Sequence, residues 1–325
     1  MESYTEMETG ISLIQHLPSK KVLFVGGGRR VSLAKKFIER GYVVYSYETS
    51  ETAPIQDVAS IVVGLSWNDP NIFLDIIAKA NFYDCNLIIP LQDAAIPICA
   101  MIKDTLKDNN VILCSDKVTA ITCFDKKKFE SFMLQNFRQF YPLDNGTYPK
   151  IMKPRYGFGS RGLITIFNED DEHTFFANPD TRDDYIIQEF QIGKEYSVDC
   201  YFDKKSSWVD SVPRERIRIA GGEVITTKTT RDNDLILLSA AIGSIMHLVG
   251  PANMQFIIPS TSQVPQIIEV NARFGGGYTL AMEAGLDVIS LIERDYFGKE
   301  FEYHAGDWKE NLLMERSYRD HFFQE

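Results

Sequence analysis

The sequence predicts a doubly wound α/β domain followed by an α+β part built on antiparallel sheets, and three observations carry the prediction. Residues 20–115 alternate short apolar runs with helically spaced stretches, the order that gives a parallel sheet covered by helices. At Ser115 the texture changes to a charged helix, a proline-flanked strand and a glycine-rich run. Beyond it, apolar and polar residues alternate in one short segment after another, the period-2 pattern of half-buried strands.

In order, KKVLFV (20–25) reads as a buried strand, 31–40 as a helix stopped by Gly41, and YVVYSY (42–47) as a second strand, together a βαβ unit. IVVGL (61–65), NLIIPL (86–91) and VILC (111–114) continue the strands, with helices near 70–80 and 94–107. A helix over 125–136 then leads to strands at 149–153, 162–167, 185–190, 195–202, 208–212, 223–228, 253–258 and 266–271, with a helix at 233–249. The expected organisation is a tail (1–19), an α/β domain (20–115) and two further lobes (116–190 and 191–325).

With 325 residues, 44% hydrophobic and 24% charged, the chain has the composition of a folded protein of two or three domains. Its net charge of -11 argues against nucleic-acid and anionic-membrane binding, which need cationic surface. The first residues carry acids where a leader needs basic groups, and no stretch approaches about 18 uninterrupted apolar residues. A cytoplasmic location is expected. The five cysteines form no CxxC pair and are expected as reduced, buried thiols.

Gly26, Gly27 and Gly28 lie between a strand and a helix, where backbone N–H groups can hold a phosphate. A dinucleotide fingerprint counted from Gly26 needs its third glycine at position 31, which is Val31. Glu48, about twenty residues on, stands where a ribose-binding acid would. An NAD(P)- or flavin-dependent oxidoreductase is therefore an alternative, and a plain strand-to-helix turn the simpler reading.

The segment IIPSTSQVPQIIEVNARFGGG carries the most chemistry. Two strands flanking a loop centred on Ser262 place Gln255 opposite Glu269, with Cβ atoms about 5 Å apart. Alternation puts Glu269, Asn271 and Arg273 on one face and turns Ile268, Val270 and Ala272 to the core. Oxygen donors with one carboxylate suit Mg²⁺, which leaves its other positions to water and phosphate. Gly275, Gly276 and Gly277 then suggest close backbone approach to a ligand. In YPKIMKPRYGFGSRGL, Lys153 ends a strand, and Gly157, Gly159, Ser160 and Gly162, with Arg155 and Arg161, form a loop able to fold over phosphates. In IIQEFQIGKEYSVDCYFD, Glu189 to Ile192 link two strands and offer backbone groups for an adenine edge. The face bearing Glu195, Ser197, Asp199 and Tyr201 reads alone as an exposed one. Arg214, Arg216, Arg218 and Arg231 concentrate positive charge in an acidic chain and are candidates for an anionic substrate.

In their order DKKKF, YPKIMKPRYGFGSRG, QEFQIGKEYSVD, NMQF and IIEVNARFGGG, these segments resemble the ATP-grasp superfamily, above all one synthetase unit of the carbamoyl-phosphate synthase large chain and small carboxylate–amine ligases like it. The resemblance implies an N-terminal pre-ATP-grasp domain and a two-lobed ATP-grasp fold. It implies ATP-binding by Lys126, Lys153, the lid Gly157, Gly159, Ser160, Arg161 and Gly162, by Glu189, Phe190 and Ile192 at adenine, and by Glu195 at ribose. It implies Mg²⁺ or Mn²⁺ on Gln255, Glu269 and Asn271, with Arg273 and Lys153 catalytic. A carboxylate or bicarbonate would attack the γ-phosphate of ATP to give an acyl phosphate that an amine captures, forming ADP. Carbamoyl phosphate synthesis resembles a tandem task, and one unit alone favours a small carboxylate–amine ligase. No AMKM biotin motif is present. A nucleotide-binding module without turnover is the other alternative, and a homodimer is the candidate assembly.

Overall fold

The computed structural model describes residues 20–103, 110–157, 159, 161–177, 181–317 and 319–323. Ser160, expected in the lid, lies outside them, as do 104–107 of the helix expected to end there.

The first sheet contains β1 (Lys21–Val25), β2 (Val43–Glu48), β3 (Ser60–Val63), β4 (Leu87–Pro90) and β5 (Val111–Ile112), in the order β3-β2-β1-β4-β5 and parallel throughout. Its strands read as continuous apolar runs because both faces are covered. Leu23 and Val25 of β1 join one core with α2 (Ile72–Phe82) and α3 (Ala95–Lys103). Val22 and Phe24 join the other with Leu33 and Phe37 of α1 (Val31–Glu39).

Two helices follow, α4 (Lys117–Phe124) and α5 (Lys126–Asn136), where one was expected. Asp116 caps the first by accepting from the Thr119 N–H, and Asp125 caps the second by accepting from those of Lys127 and Lys128. The β-branched residues of KVTAITCF hide α4 in the sequence. A three-stranded antiparallel sheet comes next, β6 (Lys150–Pro154), β7 (Ile164–Ile166) and β8 (Tyr185–Glu189), in the order β7-β6-β8, with α6 (Glu169–Phe175) and α7 (Thr181–Asp184) between β7 and β8.

The largest sheet holds β9 (Gly193–Phe202), β10 (Trp208–Ala220), β11 (Glu223–Thr229), β12 (Gly250–Pro259), β13 (Gln266–Asn271) and β14 (Leu313–Glu315), all antiparallel, in the order β13-β12-β9-β10-β11-β14. β10 runs well past the expected 212, because its charged half, PRERIRIA, is held by β11 and bulges at Arg216 and Arg218. Helix α8 (Asn233–Ile245) packs with Val198, Cys200 and Phe202 on one face. Two helices the sequence reading did not assign, α9 (Tyr278–Ala284) and α10 (Val288–Phe297), pack with Tyr201 and Val212 on the other. The same core takes in Phe24 and Phe37, whose ring meets Phe274 edge-on at 6.4 Å, so the parallel sheet and the large sheet share buried surface. All five cysteines are free, four of them buried and Cys123 partly so. No helix among the described residues is long and apolar enough to cross a membrane.

Candidate active site

The hairpin of β12 and β13 has the register its loop demands, with Gln255 opposite Glu269 and Asn253 opposite Asn271. One residue departs from the expected alternation. The ladder steps from the Gln255–Glu269 pair to Phe256–Ile267, so Ile268 is bulged out and Ile267, fully buried, takes the core position assigned to Ile268. The polar face survives because the bulge precedes Glu269. Glu269 Oε1 accepts from Gln255 Nε2 at 2.6 Å and from Asn271 Nδ2 at 2.9 Å. Across β12 these rows continue to Ser197 and Asp199 on β9.

That face is not exposed, contrary to the isolated reading of β9. Ser197 and Asp199 are fully buried, and Asp199 accepts from Asn253 Nδ2 at 2.6 Å and Arg214 Nε at 2.8 Å. Arg214, 1% exposed, is therefore consumed by an internal network and is not a substrate contact. Arg231 is corrected too. Its guanidinium lies 4.2 Å from the Trp308 ring and donates to the carbonyls of Gly306 and Trp308, clamping the chain after α10. Arg218 pairs with Glu315 on the exposed edge. Arg216 alone of the group faces the candidate site, donating to Glu195 at 3.1 Å and Ser197 at 3.3 Å.

Facing the hairpin, Lys153 at the end of β6 is buried and has no hydrogen-bond or ion-pair partner among the described residues. Burial depresses its ammonium to about 8, against the pull of Glu269 and with a push from Lys126. Lys126 opens α5, is lowered by burial, and gives its Nζ to the Gly157 carbonyl at 2.9 Å. Asp93, Lys126, Gly157, Glu269 and Asn271 line one cleft. Arg155 is not free to reach a phosphate, since it makes a two-pronged pair with Asp125 at 2.9 and 2.7 Å, and Tyr156 Oη donates to the same carboxylate. The lid glycines earn their place by approach: a Cβ on Gly222, in the β10–β11 turn, would lie 2.5 Å from the Gly159 carbonyl carbon. Gly162 adopts φ +73, where side chains are strained, and Arg161 beside it is exposed.

Arg273 donates to both oxygens of Asp93, at 2.7 and 2.9 Å, and to Asn271 Oδ1 at 3.4 Å. Asp93, three residues beyond β4, escaped the sequence reading, and its only signal is an acid shortly after an apolar strand. Gly275, Gly276 and Gly277 make room for side chains of this chain. A Cβ there would meet Asn253 at 2.7 Å, Arg30 at 3.2 Å and Arg214 at 2.7 Å respectively.

In the linker after β8, Glu189 accepts from Gln191 Nε2 at 2.7 Å, and the Phe190 N–H is taken by the Pro149 carbonyl at 3.2 Å. The Phe190 N–H is thus already engaged, and Ile192 beyond it is largely exposed. The oxidoreductase alternative loses its ribose acid. Glu48 Oε1 accepts from the Gly28 N–H at 2.7 Å and Ser46 Oγ at 2.6 Å, so the carboxylate and one loop amide satisfy each other.

Among the described residues no three His, Cys, Asp or Glu side chains are grouped to hold a metal alone. The oxygens of Gln255, Glu269 and Asn271 instead make a one-carboxylate donor set, which fits Mg²⁺ or Mn²⁺ when nucleotide phosphates complete the shell.

Residues 181–315, the large sheet with its hairpin, match the family model described as ATP-grasp in the biosynthetic pathway with Ter operon. That stretch is similar to ATP-grasp domains. The chain is 25% identical over 164 residues to the carbamoyl phosphate synthase large chain of Agathobacter rectalis, a match covering 47% of this chain and 15% of that one. It thus spans a small part of that relative's length. Its fold is that of the Campylobacter jejuni biotin carboxylase solved with β,γ-ATP (TM-score 0.68, 17% identity, 90% of this chain and 74% of that chain). It is equally that of the Staphylococcus aureus N5-carboxyaminoimidazole synthetase solved with ADP (TM-score 0.69, 16% identity, 88% and 79%).

Proposed function

We propose that this chain is an ATP- and Mg²⁺-dependent, ADP-forming ligase that activates a carboxylate or bicarbonate as an acyl phosphate for capture by an amine. The observation that carries the reading is the Gln255–Glu269–Asn271 set with Lys153 near it, buried and without a side-chain partner among the described residues, while Lys126 and Gly157 line a cleft with Glu269 and Asn271. In the proposal Lys126 and Lys153 take the phosphates, the hairpin holds the metal that bridges them, and Arg273 steadies the anion under attack. Phosphoryl transfer asks mainly for positioning and charge neutralisation, which these groups supply without a covalent nucleophile.

The pre-ATP-grasp role of the parallel sheet and the adenine and ribose roles of the β8–β9 linker and Glu195 belong to this reading, supported by the nucleotides bound in the two solved relatives. A cytoplasmic location belongs to it too, supported by five free thiols. The test is a screen for ADP release with amino acids, dicarboxylates and bicarbonate, each with amine donors. Lys153→Ala and Glu269→Ala are expected to lower turnover by at least about 100-fold. ATP binding without ADP release for any acceptor would leave a binding module.

A further inference from the structure

The proposed reading requires an anionic acceptor beside Arg273, yet that guanidinium is already engaged by Asp93. Two further arginines converge on the same place from the two ends of the described chain. Arg30 lies in the loop between β1 and α1, and Arg316 directly follows β14. Both reach Gly276, where a Cβ would stand 3.2 Å from Arg30 Nη1 and 3.8 Å from Arg316 Nη1. Arg316 donates to the Gly276 carbonyl and, at 3.1 Å, to Glu223. Arg30 has no side-chain hydrogen bond or ion pair among the described residues. Burial, and then the charge of Arg273, press its guanidinium down to about 10.

The charges do not balance. Asp93 answers Arg273 and Glu223 answers Arg316, which leaves one positive charge, on Arg30. A half-buried guanidinium without a partner is costly and is explained when an anion completes it. The geometry is also prepared in advance. The Arg30 N–H is bonded to the Gly27 carbonyl, the Gly28 N–H to Glu48, and the Gly28 carbonyl to the Ile55 N–H. The tail is tied to the same turn, with Arg319 3.3 Å from Asp57.

We propose that Arg30, backed by Arg316, is the acceptor subsite and holds the carboxylate of a small organic acid next to Arg273. This assignment rests on the ligase reading and adds a binding residue from the N-terminal glycine loop, which the motif argument had read as a plain turn. Arg30 and Arg316 both lie outside the residues matched by the family model. A phosphate of ATP has the same charge chemistry, and the experiment separates the two.

Full-length wild type, Arg30→Gln, Arg30→Lys and Arg316→Gln are titrated calorimetrically with acetate, succinate and L-glutamate, and separately with Mg-ATP. At least one carboxylate is expected to bind wild type and to bind Arg30→Gln about 10- to 100-fold more weakly, the effect of losing a charged hydrogen bond. Partial recovery in Arg30→Lys, a lesser loss in Arg316→Gln and Mg-ATP affinity within about twofold of wild type complete the expected pattern. Equal carboxylate binding in wild type and Arg30→Gln, no carboxylate binding to wild type, or a loss confined to Mg-ATP overturns the subsite. Carboxylate binding through Arg30 with no ADP release for any acceptor would sink the ligase reading alone; ADP release with binding indifferent to Arg30 would sink the subsite alone.

Discussion

Lys153 is a lysine held close to neutrality. Its ammonium titrates near 8 in the fold against 10.5 as its ordinary value, so between those limits the unfolded chain binds the extra proton. The sign follows: Lys153 lowers the stability of the nucleotide-free protein at neutral pH, and that penalty is relieved as pH rises from about 8 towards 10.5. Nucleotide phosphates favour the charged form, so Mg-ATP affinity is expected to fall as pH rises above 8, by up to about tenfold per unit. Lys153→Arg, which stays charged, should flatten that slope, and an unchanged slope would place the titration elsewhere. Asp93→Asn tests the other pole. It leaves the Arg273 guanidinium short of its buried partner and is expected to cost about 3 kcal/mol in denaturant unfolding. Lys153 was legible in the sequence because it sits beside the proline and glycines of its own strand and loop. Asp93 was not, because its partner lies 180 positions away and only the tertiary fold joins them.

Among elements, the β12–β13 hairpin shows how far alternation can be trusted. Counting from Ser262 gave the Gln255–Glu269 pair because that centre matches the ladder beyond the bulge, while the two pairs nearer the loop are offset by one residue. The bulge at Ile268 was invisible, because Ile267 and Ile268 are the same residue type and either could fill the core. Their exchange makes a direct prediction: Ile267→Ala should cost about 2–4 kcal/mol by chemical denaturation and Ile268→Ala about 1 or less. The reverse order would restore the unbulged register. The buried polar face of β9 was misread for a related reason. A row of Glu, Ser and Asp looks solvated until Arg214 and the helices after the hairpin cover it, and α9 and α10 were themselves unassigned.

In the whole molecule, the loop after the first parallel strand, the large sheet and the residue after its last strand meet around Gly275–Gly277. Order along the sequence predicted the sheets well, because strand periodicity is local. It could not predict that Arg30 and Arg316, nearly the full described length apart, would share one glycine. A site assembled from distant segments should be stabilised as a unit by its ligand. Mg-ATP at about 100 times its dissociation constant is expected to raise unfolding free energy by about 2.7 kcal/mol, read as a shift in thermal midpoint. Glu269→Ala should abolish that shift, and a full shift in the variant would remove the metal from the hairpin.

Lys126 already holds an oxygen, the Gly157 carbonyl at the first turn of the lid. Arg155 and Tyr156, one step earlier, are fastened to Asp125, which also caps α5. The described backbone is therefore held to Asp125 through Arg155 and Tyr156, and Gly157 next to them is held by Lys126. In the ligase reading, a triphosphate that claims Lys126 takes it from the Gly157 carbonyl, so nucleotide binding and the release of that carbonyl are coupled.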